Sequence, residues 1–266
     1  MYDIRRVEEL IARWENGERS AEMRKVRNEV FDVLTLRTLY KLMEQRYILR
    51  LEGIISTGKE ANVFRALDPS GEYVAVKIYR VETTEFRHMW KYLDGDPRFF
   101  RIRRNRRGII NVWAKKEFRN LESSFRAGAS VPYPIISRNN VLIMEFIGVD
   151  NDPAPRLKGY CPEDVDTFVD ALFDSLGRMY FRAGIVHADL SEYNVLVRND
   201  LPVIIDLGQG VPWEHPMSLD FFRRDMERLQ AMLSDLGREY SVKELITILE
   251  TRGKQNERRR KRRGDA

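Results

Sequence analysis

Four side chains stand out by type and order. A lysine closes the apolar run "VAVK" at Lys77, "HADLSEYN" follows at 187–194, and "DLG" at 206–208. Asp189 and Asn194 are five residues apart, and Asp206 comes twelve after Asn194. Such a set suits phosphoryl transfer. One carboxylate meets the nucleophile, an amide and a second carboxylate clamp magnesium on the phosphates, and a lysine neutralises phosphate oxygens. Each residue alone has an ordinary explanation: Asp189 as a turn residue, Asn194 as a cap, Asp206 at a strand end, Lys77 as a solvent-facing strand lysine. A lysine inside an apolar strand needs a reason, however, and the four together in this order favour chemistry.

Upstream lies "GIISTGKE" (53–60), close to the phosphate loop G-x-x-x-x-G-K-[ST]. Glu60 stands where that motif needs a hydroxyl, and a lysine of that type must open a helix so that the phosphate meets free N–H groups. The residues after Lys59, "ANVFRAL" and "EYVAVKIY", are β-branched and aromatic, with the turn "DPSG" (68–71) between them. They predict a hairpin. Counted back from Val63, the loop instead fits the kinase glycine pattern G-x-G-x-x-G-x-V at Ser56, Gly58, Ala61 and Val63, with small residues replacing two glycines. Lys59 is then a phosphate contact, and Val63 packs on a base.

The elements that must hold these residues follow from periodicity. Residues 1–52 read as helical, with Val30, Leu34, Leu39, Leu42 and Met43 on one stripe. A helix is expected over 111–127, stopped by Gly128, and it carries Glu117 and Glu122 as first- and second-choice partners for Lys77. "VLIMEFIG" (141–148) is a buried strand in the position of a kinase hinge. There the backbones of Glu145 and Ile147 would meet an adenine edge and Met144 would line the pocket. Helices are expected over 163–183, about 218–236, and 241–251, the last opened by the capping box "SVKE". "VLVR" and "PVIIDLG" read as short strands. His187 is expected to orient its loop, and His88 and His215 to be structural or surface residues.

The chain resembles the RIO family of atypical protein kinases. The residues that carry the resemblance are "STGKEANVF", "VAVKIYR", "KKEFRNL", "VPYPI", "MEFIG", "HADLSEYN" and "IIDLGQ". They are most similar to the type-1 subfamily in its short archaeal form. The resemblance implies an α+β, bilobal, protein-kinase-like fold. Its N-lobe is an antiparallel sheet plus helices, and its C-lobe is truncated and mostly helical, without a peptide-binding activation segment. It also implies an ATP- and magnesium-dependent (or manganese-dependent) serine/threonine kinase or ATPase that phosphorylates itself and acts in small-ribosomal-subunit maturation. By position, Asp189 is the base, Asn194 and Asp206 are the metal ligands, and Asp206 is also a candidate phospho-acceptor. Ala188 replaces the arginine that grips an activation-loop phosphate, and no A-P-E follows "DLG".

The expected layout is a helical region at 1–52, an N-lobe at 53–147 with a flexible basic loop near 84–110, a C-lobe at 148–251, and a basic tail at 252–266. Net charge is +5. "RFFRIRRNRR" (98–107) carries six arginines and no acid, or +6; "RGKQNERRRKRR" (252–263) carries eight bases and one acid, or +7; subtraction leaves −8 elsewhere. A charge run is usually a solvated loop. An acidic body with two basic arms nonetheless points to RNA, with Phe99 and Phe100 stacking on bases, and the resemblance implies that this RNA belongs to the pre-ribosomal small subunit. No apolar run suits a membrane span and "MYDIRRVEEL" lacks a signal peptide's apolar stretch. The single cysteine, Cys161, fits a reducing cytoplasm. Two alternatives stay open: a kinase-shaped RNA-binding scaffold that holds ATP without turnover, and a small-molecule phosphotransferase.

Overall fold

The computed structural model describes residues 31–82, 86–99, 105–149 and 151–264. The expected helical stretch before residue 31 and the centre of the arginine run lie outside them. Among the described residues the chain divides into two units whose segments interleave. The first comprises 31–82, 86–91, 105–118 and 134–146; the second comprises 92–99, 119–133, 147–149 and 151–264.

The first unit is a five-stranded antiparallel sheet in the order β1-β2-β3-β5-β4, made of β1 (Arg50–Thr57), β2 (Ala61–Leu67), β3 (Tyr73–Tyr79), β4 (Pro134–Arg138) and β5 (Val141–Glu145). Alternation gives each strand two faces. Phe64 and Ala66, Val74, Val76 and Ile78, and Val141 and Ile143 form one buried face, against Leu39 and Leu42 of helix α1 (Val33–Glu44). The opposite face carries Val63 and its cross-strand partner Lys77. The β2–β3 turn is set by Asp68. Its carboxylate accepts from the Ser70 N–H and Oγ and from the Glu72 N–H at 2.6–2.9 Å, while Gly71 takes φ +90. The Ser70 hydroxyl in particular holds Asp68 below the usual carboxylate range.

The helical reading of 1–52 runs too far. Helix α1 ends at Glu44, Arg46 adopts φ +62, and Arg50–Glu52 already belong to β1. Periodicity missed this strand because its pairing with β2 shifts register twice, at Leu51/Gly53 and Ile54/Ser56. Irregular pairing breaks the two-residue rhythm that marks a strand.

In the second unit, helix α4 (Val165–Phe181) is the spine, burying Phe168, Val169, Leu172, Phe173, Leu176, Met179 and Tyr180. Earlier in the chain come helices α2 (Phe86–Leu93) and α3 (Arg106–Arg126). Residues of α3 to Phe118 count with the first unit and those from Arg119 with the second. Gly128 (φ +86) stops α3, as the sequence predicts. Two-stranded pieces follow: β6 (Gly148–Val149) with β7 (Asp152–Pro153), β8 (Ile185–Val186) with β11 (Val211–Pro212), and the hairpin β9 (Val195–Arg198) with β10 (Leu201–Ile204). Helices α5 (Ser218–Asp235) and α6 (Val242–Gly264) complete the unit.

The Ser241–Glu244 capping box starts α6, with Ser241 N–H and Oγ each 2.7 Å from Glu244 Oε2. The helix does not stop at residue 251 but runs on to Gly264. The basic stretch is built largely of arginine, lysine, glutamine and glutamate, all good helix formers. Gly253 does not break the helix, because it is the contact point with α4. A β-carbon there would lie 2.5 Å from the Gly177 carbonyl oxygen, and one on Gly177 would lie 2.6 Å from the Leu249 carbonyl oxygen. In an open helix, Gly→Ala stabilises by about 1 kcal/mol. Here the clash is with backbone, and overpacking costs about 1–3 kcal/mol. Gly177→Ala is therefore expected to lower the melting temperature by several degrees in thermal denaturation, reversing the sign that helix propensity alone gives.

Candidate phosphoryl-transfer site

The first unit carries the candidate nucleotide residues. Ser56 lies on β1 opposite Val63 of β2, and the loop between them exposes Gly58 and Lys59. No helix begins at Lys59, which rules out the helix-opening phosphate loop. The Gly58 N–H donates to the Ala61 carbonyl at 3.0 Å and to Asn62 Oδ1 at 3.3 Å. A β-carbon on Gly58 would sit 3.1 Å from that carbonyl, so the turn is tight where close backbone approach is wanted. Lys77 Nζ donates to both Glu117 carboxylate oxygens at 2.9 Å. Both residues are buried, at 7% and 1% exposure. Glu122, the second-choice partner, instead pairs with Arg126 one turn along α3. Met144 and Glu145 close β5 opposite Ala75 and Val74 of β3. Ile147 counts with the second unit, where its carbonyl accepts the Ala154 N–H at 2.9 Å.

The second unit carries the candidate acid and metal residues, positioned by the β9–β10 hairpin. The ladder's last pair is Val195↔Ile204, and beyond it the Ile205 N–H donates to the Asn194 carbonyl at 2.9 Å. Asn194 and Asp206 therefore leave the same open end of the hairpin. Asn194 Nδ2 donates to the Asp189 carbonyl at 2.9 Å. That bond fixes the amide through its nitrogen, so that Oδ1 is the atom that could serve a metal. Asp206 is exposed, with φ +62. An amide oxygen and a carboxylate suit magnesium, which takes hard oxygen ligands, one or two of them from protein and the rest from phosphates and water. No group of three His, Cys, Asp or Glu side chains among the described residues forms a separate metal cage.

His187 orients the loop. Its Nε2 is 3.0 Å from the Ile205 carbonyl, and the Asp189 N–H donates to its Nδ1 at 3.3 Å. His215 is buried and stacks on Phe221.

Several positioning residues carry no sequence signal. Asp225, buried on α5, accepts from the N–H groups of Ala188 (2.8 Å) and Leu190 (3.2 Å) and from Tyr180 Oη (3.1 Å). These bonds hold Ala188 at φ +66, a conformation that costs a non-glycine residue free energy. Burial pushes the Asp225 carboxyl pKa up, against the opposing pull of His187 and the donated N–H groups. Arg228 Nη1 donates to Asp189 Oδ1 at 2.7 Å, while Gln209 Nε2 lies 3.3 Å from Oδ2. Asn120 donates to the carbonyls of Leu207 and Gly210, both at 2.7 Å, clamping the turn that follows Asp206. Asn120 in turn accepts from Arg98 at 2.8 Å, and Arg98 is held by the buried Asp96. The Phe99 ring has guanidinium carbons of Arg98 and Arg119 within 5.5 and 5.0 Å. Arg98 and Phe99 thus make these contacts within the second unit.

Comparison with known proteins gives the family. The RIO domain profile matches residues 62–245. The chain is 46% identical over 207 residues to the RIO-type serine/threonine-protein kinase Rio1 of Haloferax volcanii, spanning 78% of this chain and 71% of that protein. It is 40% identical over 242 residues to Rio1 of Methanocaldococcus jannaschii, spanning 87% and 82%. Among solved structures it is similar to the Rio2 kinase of Chaetomium thermophilum in an ADP/Mg2+-phosphoaspartate complex. The TM-score is 0.60 at 20% identity, covering 85% of this chain and 68% of that one. That likeness establishes a kinase-like α+β fold.

Proposed function

The chain belongs to the RIO family, as a Rio1-type serine/threonine-protein kinase, and from that premise we propose that it uses ATP with magnesium and acts in maturation of the small ribosomal subunit. The observation that carries the ATP reading is the common hairpin end from which Asn194 and Asp206 leave, with the Asn194 amide bonded to the Asp189 backbone.

In this reading Lys77, held by Glu117, meets the α- and β-phosphates. Ser56, Gly58, Lys59 and Ala61 form the phosphate loop, Val63 and Met144 line the adenine, and Glu145 and Ile147 offer backbone groups to its edge. Asn194 and Asp206 would hold the metal, which would supply neutralisation of the charge on the transferring phosphoryl group. Asp189 takes the proton of the acceptor hydroxyl as its oxygen bonds to the γ-phosphorus, and the bridging oxygen leaves with ADP. The acceptor is a serine or threonine, including one on the chain itself. In a parallel ATPase route, an Asp206 carboxylate oxygen bonds to the γ-phosphorus as the bond to the bridging oxygen breaks and ADP leaves, and water then cleaves the aspartyl phosphate to inorganic phosphate and the free carboxylate. The phosphoaspartate in the Chaetomium thermophilum Rio2 complex supports that route.

The test follows labelled γ-phosphate into protein and free phosphate. Transfer is expected with Mg2+, to be lost in EDTA and to return when Mg2+ is restored. ATP binding with no transfer or hydrolysis in the wild type would replace this reading with the scaffold.

The proposed RNA partner rests on charge. The basic loop at 98–107, probed at Arg101, Arg103 and Arg104, and the tail at 252–263 are its contacts, and the cytoplasm is the site of action. No helix among the described residues is long and apolar enough to cross a membrane. RNA affinity is expected to fall linearly with salt on logarithmic axes, with the slope shrinking by about 0.7 for each phosphate-contacting arginine replaced by glutamine. A slope unchanged after all three loop replacements would remove the loop from the interface.

A further inference from the structure

We propose that Arg228, on α5, is a positioning residue for phosphoryl transfer, fixing the Asp189 carboxylate with a cation that the loop itself lacks. The inference rests on the reading of Asp189 as the acceptor-side base. Residues 187–194 contain no lysine or arginine. Helix α5 grips three consecutive loop residues from positions 224, 225 and 228, which share one helical face. Arg224 Nη2 donates to the Ala188 carbonyl at 3.1 Å, and Asp225 accepts the Ala188 and Leu190 N–H groups. Those bonds fix the backbone around Asp189 but leave its side chain to turn.

The carboxylate torsion of aspartate is broad and soft, so its direction is decided by whichever donor binds hardest. The amides of Gln209 and Asn194 stand 3.3 and 3.5 Å from Oδ2, whereas Arg228 Nη1 is 2.7 Å from Oδ1. The short bond joins two charges, the stronger class of hydrogen bond. It occupies Oδ1 and leaves Oδ2 as the oxygen offered to an incoming hydroxyl. Arg228 stays charged throughout the working pH range, because the hydrogen bond it donates to Asp189 raises its pKa further.

Stability does not account for the pair. Its side chains are 46% and 34% exposed, and ion pairs in such settings contribute at most about 1 kcal/mol. Orientation of a reacting group is another matter, since a misplacement of about 1 Å costs on the order of 10²-fold in rate.

The experiment measures kcat, KM for ATP and melting temperature for wild type, Arg228→Gln and Arg228→Lys, and repeats Arg228→Gln in an Asp189→Ala background. We expect Arg228→Gln to lower kcat about 10²-fold, with KM and melting temperature unchanged. Arg228→Lys should recover part of the loss, and the double variant should be no slower than Asp189→Ala alone. Wild-type kcat in Arg228→Gln, or an equal fold-loss in both backgrounds, overturns the inference. Wild-type turnover in Asp189→Ala would overturn the reading beneath it instead.

Discussion

Asp189→Ala is expected to cut ATP turnover by about 10²–10⁴-fold, the range that a positioned proton acceptor contributes. The loss should fall on kcat and leave KM for ATP nearly unchanged, because the residues read as nucleotide contacts lie on other segments. Folding should survive. The side chain is partly exposed, and Asp225, Arg224 and Asn194 each hold backbone atoms of residues 188–190, bonds that the substitution leaves in place. A steady-state assay beside a melting curve separates the two effects. Equal turnover by wild type and variant would remove Asp189 from the chemistry and shift attention to Asp206.

The second large effect is on stability as well as rate. Glu117→Ala leaves the Lys77 ammonium in a buried position after losing a carboxylate that accepted it through both oxygens. Breaking one side of a buried pair costs about 3–5 kcal/mol, far more than the pair adds over an apolar replacement. The prediction has two arms. Urea unfolding of Glu117→Ala should show the full loss. The double variant Lys77→Met/Glu117→Leu, which removes both charges, should regain most of the stability yet show no turnover. If the double variant turned over ATP, the lysine would be a core residue and the nucleotide reading of the β3 strand would fail.

What could be read from the sequence depended on how far apart cooperating residues lie along the chain. Lys77, Asp189, Asn194 and Asp206 were legible because their spacing is itself a pattern. Their supports were not. Asp225 and Arg228 lie 36 and 39 residues from Asp189 (225 − 189 and 228 − 189), and nothing about "FFRRDMERL" singles out the members that face the loop. Asn120 had only the hint that it follows Glu117 by three on one helix face. Its partners, the carbonyls of Leu207 and Gly210, are backbone atoms that no residue type advertises. Strand β1 was hidden by its register shifts, and the length of α6 by a glycine that would normally signal an end.

That glycine has a metrical consequence. With no side chain between Gly253 and Gly177, the two helices meet backbone to backbone, and α6 cannot slide along α4 by a residue without forcing β-carbons into carbonyl oxygens. The contact is the zero mark of a ruler. Each residue beyond it advances about 1.5 Å, so the backbone of Arg263, ten positions on, stands roughly 15 Å from the mark. Lengthening or shortening the helix past Gly253 would move its cationic end by a known step while leaving the grip untouched.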